Sequence, residues 1–161
     1  MNDSKLLDIL QENAHVSKDD IARQLNSTVP EVTQRIAELE RDGIILGYQA
    51  ILDEERADSK NVTAVIEVRI TPERGGGFDR LADRISQFQQ VRSCYLMSGG
   101  YDLMVVVEGS DLRDIAMFVT EKLSTIEGVL STATSFRLKT YKSNGILARK
   151  EAASGRLAVA P

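Results

Sequence analysis

One stretch constrains the fold of this chain more than any other: residues 96–107, which read LMSGGYDLMVVV. Its two glycines permit positive φ angles and its aspartate can hydrogen-bond its own backbone, so the chain can reverse between two apolar runs. The second run, Leu103–Val107, is apolar at five successive positions, which is typical of a central strand covered on both faces. The sequence therefore predicts a β-hairpin whose tip lies at the end of a rigid strand.

The expected tip brings together a hydroxyl, backbone amides, an aromatic ring and a carboxylate, contributed by Ser98, Gly99, Gly100, Tyr101 and Asp102. Such groups can hold a small zwitterion, for example an amino acid. From these residues alone, an ordinary turn in which Asp102 bonds only turn amides is the simpler interpretation. The rest of the chain is what favours a binding role.

Composition indicates a soluble globular protein: of 161 residues, 42% are hydrophobic and 27% are charged. The longest uninterrupted apolar run has five residues and the first residues lack the layout of a signal peptide. We therefore expect a cytoplasmic protein that does not contact a membrane. Cys94 is the single cysteine, which excludes an internal disulfide, and His15 is the single histidine, in a polar link between two helix patterns. We expect no catalytic residue, no metal site and no cofactor.

The first 53 residues carry three amphipathic helix patterns. The expected helices begin at the N-caps Asp3 or Ser4, Ser17 and Thr28, and end near Asn13, Asn26 and Gly43, respectively. After the third helix, two β-rich runs around Gly47 predict a small hairpin over Ile44–Leu52. Three helices followed by a hairpin predict a winged helix-turn-helix over residues 1–53.

In such a module the helix after the turn lies in the major groove, so its outward residues should meet bases. Gln34 and Arg35 suit direct readout of adenine and guanine edges, while Lys18 and Thr28 suit phosphate contacts. The residues that we expect at the DNA interface are Lys18, Thr28, Glu31, Gln34, Arg35 and Arg41. The alternative is an ordinary solvated helix face.

The net charge of residues 1–53 partly favours the solvated helix face over a DNA interface. Residues 1–53 contain five basic and ten acidic side chains, a net charge of −5. Because DNA affinity comes largely from phosphate neutralisation, one acidic module should bind weakly. Several modules acting together in an oligomer can raise affinity by roughly 10²–10⁴.

A polar stretch without periodicity, residues 54–60, is expected to link this module to a second domain over residues 61–142. There the pattern predicts β-α-β-β-α-β, a ferredoxin-like antiparallel sheet with two helices on one face, and hence an α+β protein. The second helix is expected to follow Asp111, with its inward face formed by Leu112, Ile115, Val119, Leu123 and Ile126. Residues 143–161 are expected to form a disordered tail or, near Arg156–Pro161, a strand added to a sheet edge.

The sheet face without helices is expected to be apolar. It would carry Val65, Cys94, Leu96, Met104 and Val106. Such a face needs a cover, most simply the same sheet of another subunit related by two-fold symmetry. The sequence therefore predicts at least a homodimer.

Taken in order, several short motifs resemble the leucine-responsive regulator and AsnC (Lrp/AsnC) family over essentially the whole chain. They are Arg35-Ile36 with Leu39-Glu40, Gly43-Ile44-Ile45, Gly47-Tyr48-Gln49-Ala50, Ser98 to Leu103, Gly128-Val129 and Thr132-Ala133-Thr134. The resemblance implies a winged helix that binds double-stranded DNA and a βαββαβ domain that senses a ligand and assembles into dimers, tetramers or octamers. It also places an effector site on Ser98, Gly99, Gly100, Tyr101 and Asp102, with Thr132 and Thr134 nearby.

Three functions compete at this point. The first is a transcription regulator whose DNA occupancy changes when an amino acid or similar metabolite binds at contacts between dimers. The second, favoured by the acidic first module, is a co-regulator that forms mixed oligomers and binds DNA weakly by itself. The third is an enzyme on the ferredoxin-like scaffold, which lacks a convincing nucleophile and base pair or metal cluster.

Overall fold

The computed structural model describes residues 2–57, 59–72 and 77–148, and the chain divides into two compact units between Ile51 and Leu52. Each unit has its own cluster of buried apolar side chains. No helix within these described ranges is long and apolar enough to cross a membrane.

The described part of the N-terminal unit contains three helices: α1 (Asp3–Glu12), α2 (Lys18–Leu25) and α3 (Val29–Arg41). The predicted N-caps of α2 and α3 are confirmed, because Ser17 and Thr28 each accept from the backbone three residues ahead. The N-cap predicted for α1 is wrong: Asn2 caps this helix, accepting from the amide of Lys5 at 3.4 Å. This leaves the carboxylate of Asp3 available for a tertiary contact.

One apolar stripe from each helix forms the N-terminal core, as the periodicity predicts. The buried members are Leu6, Ile21, Ala22, Val32, Ile36 and Leu39. An asparagine, Asn26, ends α2 in the left-handed conformation with φ of 50°. The short turn that follows brings α3 directly after α2, which is the helix-turn-helix arrangement.

The hairpin predicted over Ile44–Leu52 is wrong: within described residues 2–57, this segment forms no strand. Both Ile44 and Ile45 donate their amides to the carbonyl of Leu39 and so close the end of α3. Gly47 does not adopt a positive φ and no turn forms there, so the two β-rich runs are not brought together as a hairpin. Leu46 is left 93% exposed.

The C-terminal unit is the predicted antiparallel sheet with helices on one face, in strand order β2-β3-β1-β4. Its elements are β1 (Val62–Ile70), α4 (Asp79–Ser86), β2 (Val91–Leu96), β3 (Leu103–Gly109), α5 (Leu112–Met117), a π-helical segment (Phe118–Leu123) and β4 (Val129–Phe136). A short hairpin follows, formed by β5 (Lys142–Ser143) and β6 (Ile146–Leu147). The tail was predicted to begin at residue 143, but Ser143 and Ile146–Leu147 belong to this hairpin. Residues 149–161, with the strand expected near Arg156–Pro161, lie outside the described residues.

The inward face predicted for the second helix of this unit needs a correction. Leu112 was expected inward but is 57% exposed, whereas Phe118 is 2% exposed and packs edge-on against Phe88 at 5.5 Å between ring centroids. Leu112 is the first residue of α5 and lies before the π-helical segment, which begins at Phe118 and whose i to i+5 hydrogen bonds take more residues per turn than those of an α-helix. The buried pair Phe118 and Leu123 is therefore spaced by five residues.

The open sheet face also differs from the prediction. Directly paired residues point to the same side of a sheet, and Cys94 pairs with Val105 while Leu96 pairs with Leu103, whose side chains are buried under the helices. A register irregularity between Val91 and Ser93 produces this shift. The predicted placement of Cys94 and Leu96 on the open face is thus wrong.

The residues that do occupy the open face include Val65, Met104 and Val106, as predicted, together with Tyr95 in place of Leu96. Tyr95 is 51% exposed. On the helix side, burial raises the pKa of the Cys94 thiol, with a smaller effect from the Asp83 carboxylate. A protonated, half-buried thiol fits the expected packing role of Cys94.

Candidate functional site

Helix α3 begins at a capping box that uses two of the residues predicted to meet DNA. The Glu31 carboxylate accepts from the Thr28 amide and hydroxyl, both at 2.9 Å, and from the Ser27 hydroxyl at 2.7 Å. These bonds, the one from Ser27 first, hold the pKa of Glu31 below its ordinary value. The polar groups of Thr28 and Glu31 therefore serve to start α3 in the unbound protein.

Arg35 is held by carboxylates from two helices. Its Nε and Nη2 atoms donate to both oxygens of Asp3 at 2.8 and 2.5 Å, and its Nη1 atom donates to Glu38 at 2.6 Å. The pKa of Arg35 is raised by these partners, Asp3 first, and the pKa of Asp3 is lowered by the bond from Arg35. Arg35 thus links α1 to α3 through its bonds to these carboxylates. Its side chain does not extend outward as a contact with a guanine edge would require.

Gln34 is one of the exposed polar residues on the outer face of α3. Its Nε2 atom donates to Oε1 of Glu38 at 3.0 Å, one helical turn further along. The bond from Arg35, and next the bond from Gln34, hold the pKa of Glu38 below its ordinary value. Glu38 is therefore an ionised acceptor shared by the two side chains predicted to read bases.

An open depression of about 500 Å³ lies along this face, between the end of α2 and the first half of α3. It is lined by Leu25, Asn26, Ser27, Glu31, Gln34, Arg35 and Glu38. Three of the residues expected at the DNA interface, Glu31, Gln34 and Arg35, thus line one concave surface.

The remaining two predicted DNA contacts lie at helix ends. Lys18 is the exposed first residue of α2, where a helix N-terminus favours phosphate. Arg41 is the exposed last residue of α3, with its Nε atom 3.3 Å from the Asp42 carboxylate. Both side chains remain at the surface.

In the C-terminal unit, the predicted reversal between β2 and β3 is confirmed by backbone bonds. The Met97 amide donates to the Asp102 carbonyl at 2.8 Å, and the Asp102 amide donates to the Val68 carbonyl at 3.0 Å. Gly99 has a φ angle of 143°, a backbone conformation that residues other than glycine rarely adopt. Ser98, Gly99 and Gly100 are exposed.

The Asp102 carboxylate takes part in the structure of the sheet. Its Oδ2 atom accepts from the amide of Ile70 at 2.8 Å, where the pairing of β1 with β4 shifts register. Asp102 therefore closes the end of β1 across the sheet, a role that the sequence interpretation did not include.

The structure brings Thr132 to the same end of the sheet as the hairpin tip. Val68 pairs with Leu103 on one side and with Thr132 on the other, so the tip and Thr132 lie two strand spacings apart, roughly 10 Å. Thr132 is half-buried. Thr134 pairs with Ile66, two residues further from the tip, and is exposed.

Besides the bond of Asp102 to Ile70, sequence reasoning missed contacts of Glu38, Arg35 and Arg137. Glu38 was seen only as part of an outward face, although its spacing from Gln34 and Arg35 was a usable local signal. Nothing local indicated the partner of Arg35, since Asp3 lies 32 residues away. Likewise nothing indicated that Arg137 binds the Thr63 hydroxyl at 2.7 Å and also the Glu54 carboxylate.

Both units match known families. Residues 2–45 match the winged helix-turn-helix DNA-binding family, and residues 63–147 match the Lrp/AsnC ligand binding domain. The second match includes the β5–β6 hairpin and covers more than half of the chain.

Relatives of known name are similar over nearly the full length. The HTH-type transcriptional regulator YugG of Bacillus subtilis is 43% identical over 160 residues, covering 99% of this chain and 96% of that protein. The Bkd operon transcriptional regulator of Pseudomonas aeruginosa is 33% identical, covering 85% and 89%. The solved structure of the regulator NMB0573 from Neisseria meningitidis, in complex with L-Met, is 26% identical, covers 89% and 92%, and superimposes with a TM-score of 0.67. Matching families in both units and full-length relatives of this kind show that the chain belongs to the Lrp/AsnC family of helix-turn-helix transcriptional regulators.

Proposed function

We propose that this protein binds specific double-stranded DNA sequences through α3 and that an amino acid or related metabolite, bound by the C-terminal unit, changes this binding. The observation that carries the DNA-binding proposal is the exposed Gln34 amide on the outer face of α3. This helix is the one that directly follows the turn of the helix-turn-helix. A glutamine amide offers the donor and acceptor that adenine requires in the major groove.

The charge of the N-terminal unit bears on how such binding is achieved. Residues 1–51, which form this unit, hold five basic and nine acidic side chains, and the resulting net charge of −4 opposes phosphate contact, so one unit alone should bind weakly. We propose that a homo-oligomer presents two or more of these units to neighbouring sites, and that the effector changes which sites are engaged together.

A selection from a randomised duplex library tests the DNA part. The full-length protein should enrich a defined sequence at moderate salt, and Gln34→Ala should reduce the preference at one position by about tenfold or more, since a bidentate contact contributes about 1–3 kcal/mol of discrimination. Gln11→Ala, an exposed glutamine on α1, is the matched control and should enrich the unaltered sequence. Retention of the full preference by Gln34→Ala would remove this residue from base readout.

For the effector part, we propose that the hairpin tip from Ser98 to Asp102, together with Thr132 and Thr134, holds the amino acid. The tip offers exposed backbone amides for a carboxylate, and Asp102 supplies negative charge for an ammonium while one of its oxygens bonds Ile70. The L-Met complex of the 26% identical neighbour supports an amino acid as the ligand class.

A thermal-shift screen of the twenty amino acids tests this site. Asp102→Asn keeps an oxygen acceptor for the Ile70 amide, so it should stay folded but lose the ligand-induced shift. Asp102→Ala removes that acceptor as well and should lower stability by about 1 kcal/mol. Asp83→Asn, on the exposed side of α4, should keep the shift. A normal shift in Asp102→Asn would place the effector elsewhere.

A second candidate function is a co-regulator that acts through mixed oligomers with a related regulator. The acidic N-terminal unit is the observation that favours it. The same selection separates the two candidates. A co-regulator of this type enriches no DNA sequence when it is purified alone, and it enriches one only when its partner regulator is present.

A further inference from the structure

Four side chains on α1 and α3, at the surface proposed to face DNA, form one continuous hydrogen-bonded chain. It runs from Asp3 on α1 through Arg35 and Glu38 to Gln34, with donor to acceptor distances of 2.5 to 3.0 Å. The fork between Asp3 and Arg35 is bidentate, which fixes the guanidinium in direction as well as in distance. The Gln34 amide is thereby connected to the helical scaffold through fixed partners.

The chemistry of Glu38 determines which way the Gln34 amide faces. A carboxylate only accepts hydrogen bonds, so Gln34 must turn its NH₂ group towards Glu38 and its carbonyl oxygen away. The second hydrogen of the NH₂ group and the carbonyl oxygen remain available at the exposed surface. This is the donor and acceptor pair that matches N7 and N6 of adenine.

A carboxylate on a DNA-facing helix weakens binding by repelling phosphates, so its presence there calls for a physical reason. Each oxygen of Glu38 has a partner on α3: Oε1 accepts from Gln34 and Oε2 accepts from Arg35. The side chain is 27% exposed and lies against a cation, which offsets part of its repulsion.

We propose that Glu38 is a positioning residue for DNA readout, fixing the Gln34 amide in the orientation that recognises adenine, with Arg35 and Asp3 as its support. This inference rests on the proposed DNA binding through α3 and names the residue that determines specificity there. Glu38 acts through Gln34 and needs no contact with a base.

The first experiment compares four full-length proteins in the randomised duplex selection: wild type, Gln34→Ala, Glu38→Gln and Glu40→Gln. In Glu38→Gln the amide partner both donates and accepts, so Gln34 is free to flip. We expect Glu38→Gln to lose preference at least fivefold at the same position as Gln34→Ala, and to keep the preferences at all other positions. Glu40→Gln removes the same charge from α3 without touching Gln34, and it should behave as wild type.

A spectroscopic measurement reports the contact without DNA. The side-chain amide signals of Gln34 in an NMR spectrum should shift as the pH is lowered from about 6 to about 2, because protonation of Glu38 changes its acceptor. Since the folded pKa of Glu38 is depressed, the midpoint should lie below that of an exposed glutamate. The shift should vanish in Glu38→Gln.

Three results overturn the proposal: an unaltered preference in Glu38→Gln, an equal loss of preference at every position, or Gln34 signals that do not respond to Glu38. The first excludes positioning, the second indicates a general structural role, and the third excludes the contact in solution. Failure of the wild type itself to enrich any sequence is a different outcome. It contradicts the proposed function and the readout role with it, while the NMR titration still reports whether Glu38 holds Gln34.

Discussion

Replacing Phe118 with alanine should destabilise the C-terminal unit by about 3–5 kcal/mol, the usual cost of removing a buried aromatic side chain. Phe118 is 2% exposed and contacts Phe88 in the core under the sheet. Because such a loss is a large fraction of the stability of a typical domain, the variant should unfold at much lower urea concentration. Urea unfolding followed by circular dichroism measures the change.

Leu112→Ala is the matched control for this substitution. Leu112 lies on the same helical stretch but is 57% exposed, so its truncation should cost less than about 1 kcal/mol. The regular helical periodicity of the sequence makes the opposite prediction, with Leu112 inward. Equal costs for the two variants would therefore contradict the outward placement of Leu112 and the burial of Phe118.

Replacing Val106 with aspartate should convert the protein into a monomer. Val106 lies on the sheet face without helices, directly paired with Val65 and beside Met104 and Tyr95. If two copies cover this face by two-fold symmetry, the substitution buries an unpaired charge from each subunit. A penalty of several kcal/mol per charge weakens association on the order of 10³-fold or more.

Sedimentation velocity at micromolar concentration checks this expectation. The wild type should sediment as a dimer or larger species, and Val106→Asp as a folded particle near the monomer mass of 17.8 kDa. Ala116→Asp adds the same charge on the exposed side of α5 and should leave the assembly unaltered. A wild type that sediments as a stable monomer would contradict the proposed sheet-to-sheet interface.

Much of the fold could be read from local patterns because those patterns act within a few residues. Ser17 and Thr28 cap helices through bonds that span three residues, and the alternation of apolar positions along β1 indicates which of its side chains face the core. The reversal after Leu96 depends on glycines and an aspartate that are adjacent in sequence. These elements and their order were predictable, and with them the family resemblance.

The candidate sites were only partly predictable, because their side chains choose partners that are distant in sequence. Asp102 was assigned to a ligand or to its own turn, and the structure gives one of its oxygens to Ile70, 32 residues away. Arg35 was assigned to a base edge on the strength of its position on α3. In the structure its partner is Asp3, which is 32 residues away in the sequence, and no local pattern indicated this contact.

Capping and apolar periodicity operate along the chain, and they identified the three N-terminal helices, the four strands of the main sheet and most residues of each core. Only the tertiary structure decided the β2 register that places Cys94 under the helices, the packing of Phe118 against Phe88, and the ion pair from Arg35 to Asp3 that joins α3 to α1. Each of these depends on packing or charge between elements that meet only after folding. Propensity and spacing contain no information about such contacts, because the free energies involved arise when separate elements share a surface.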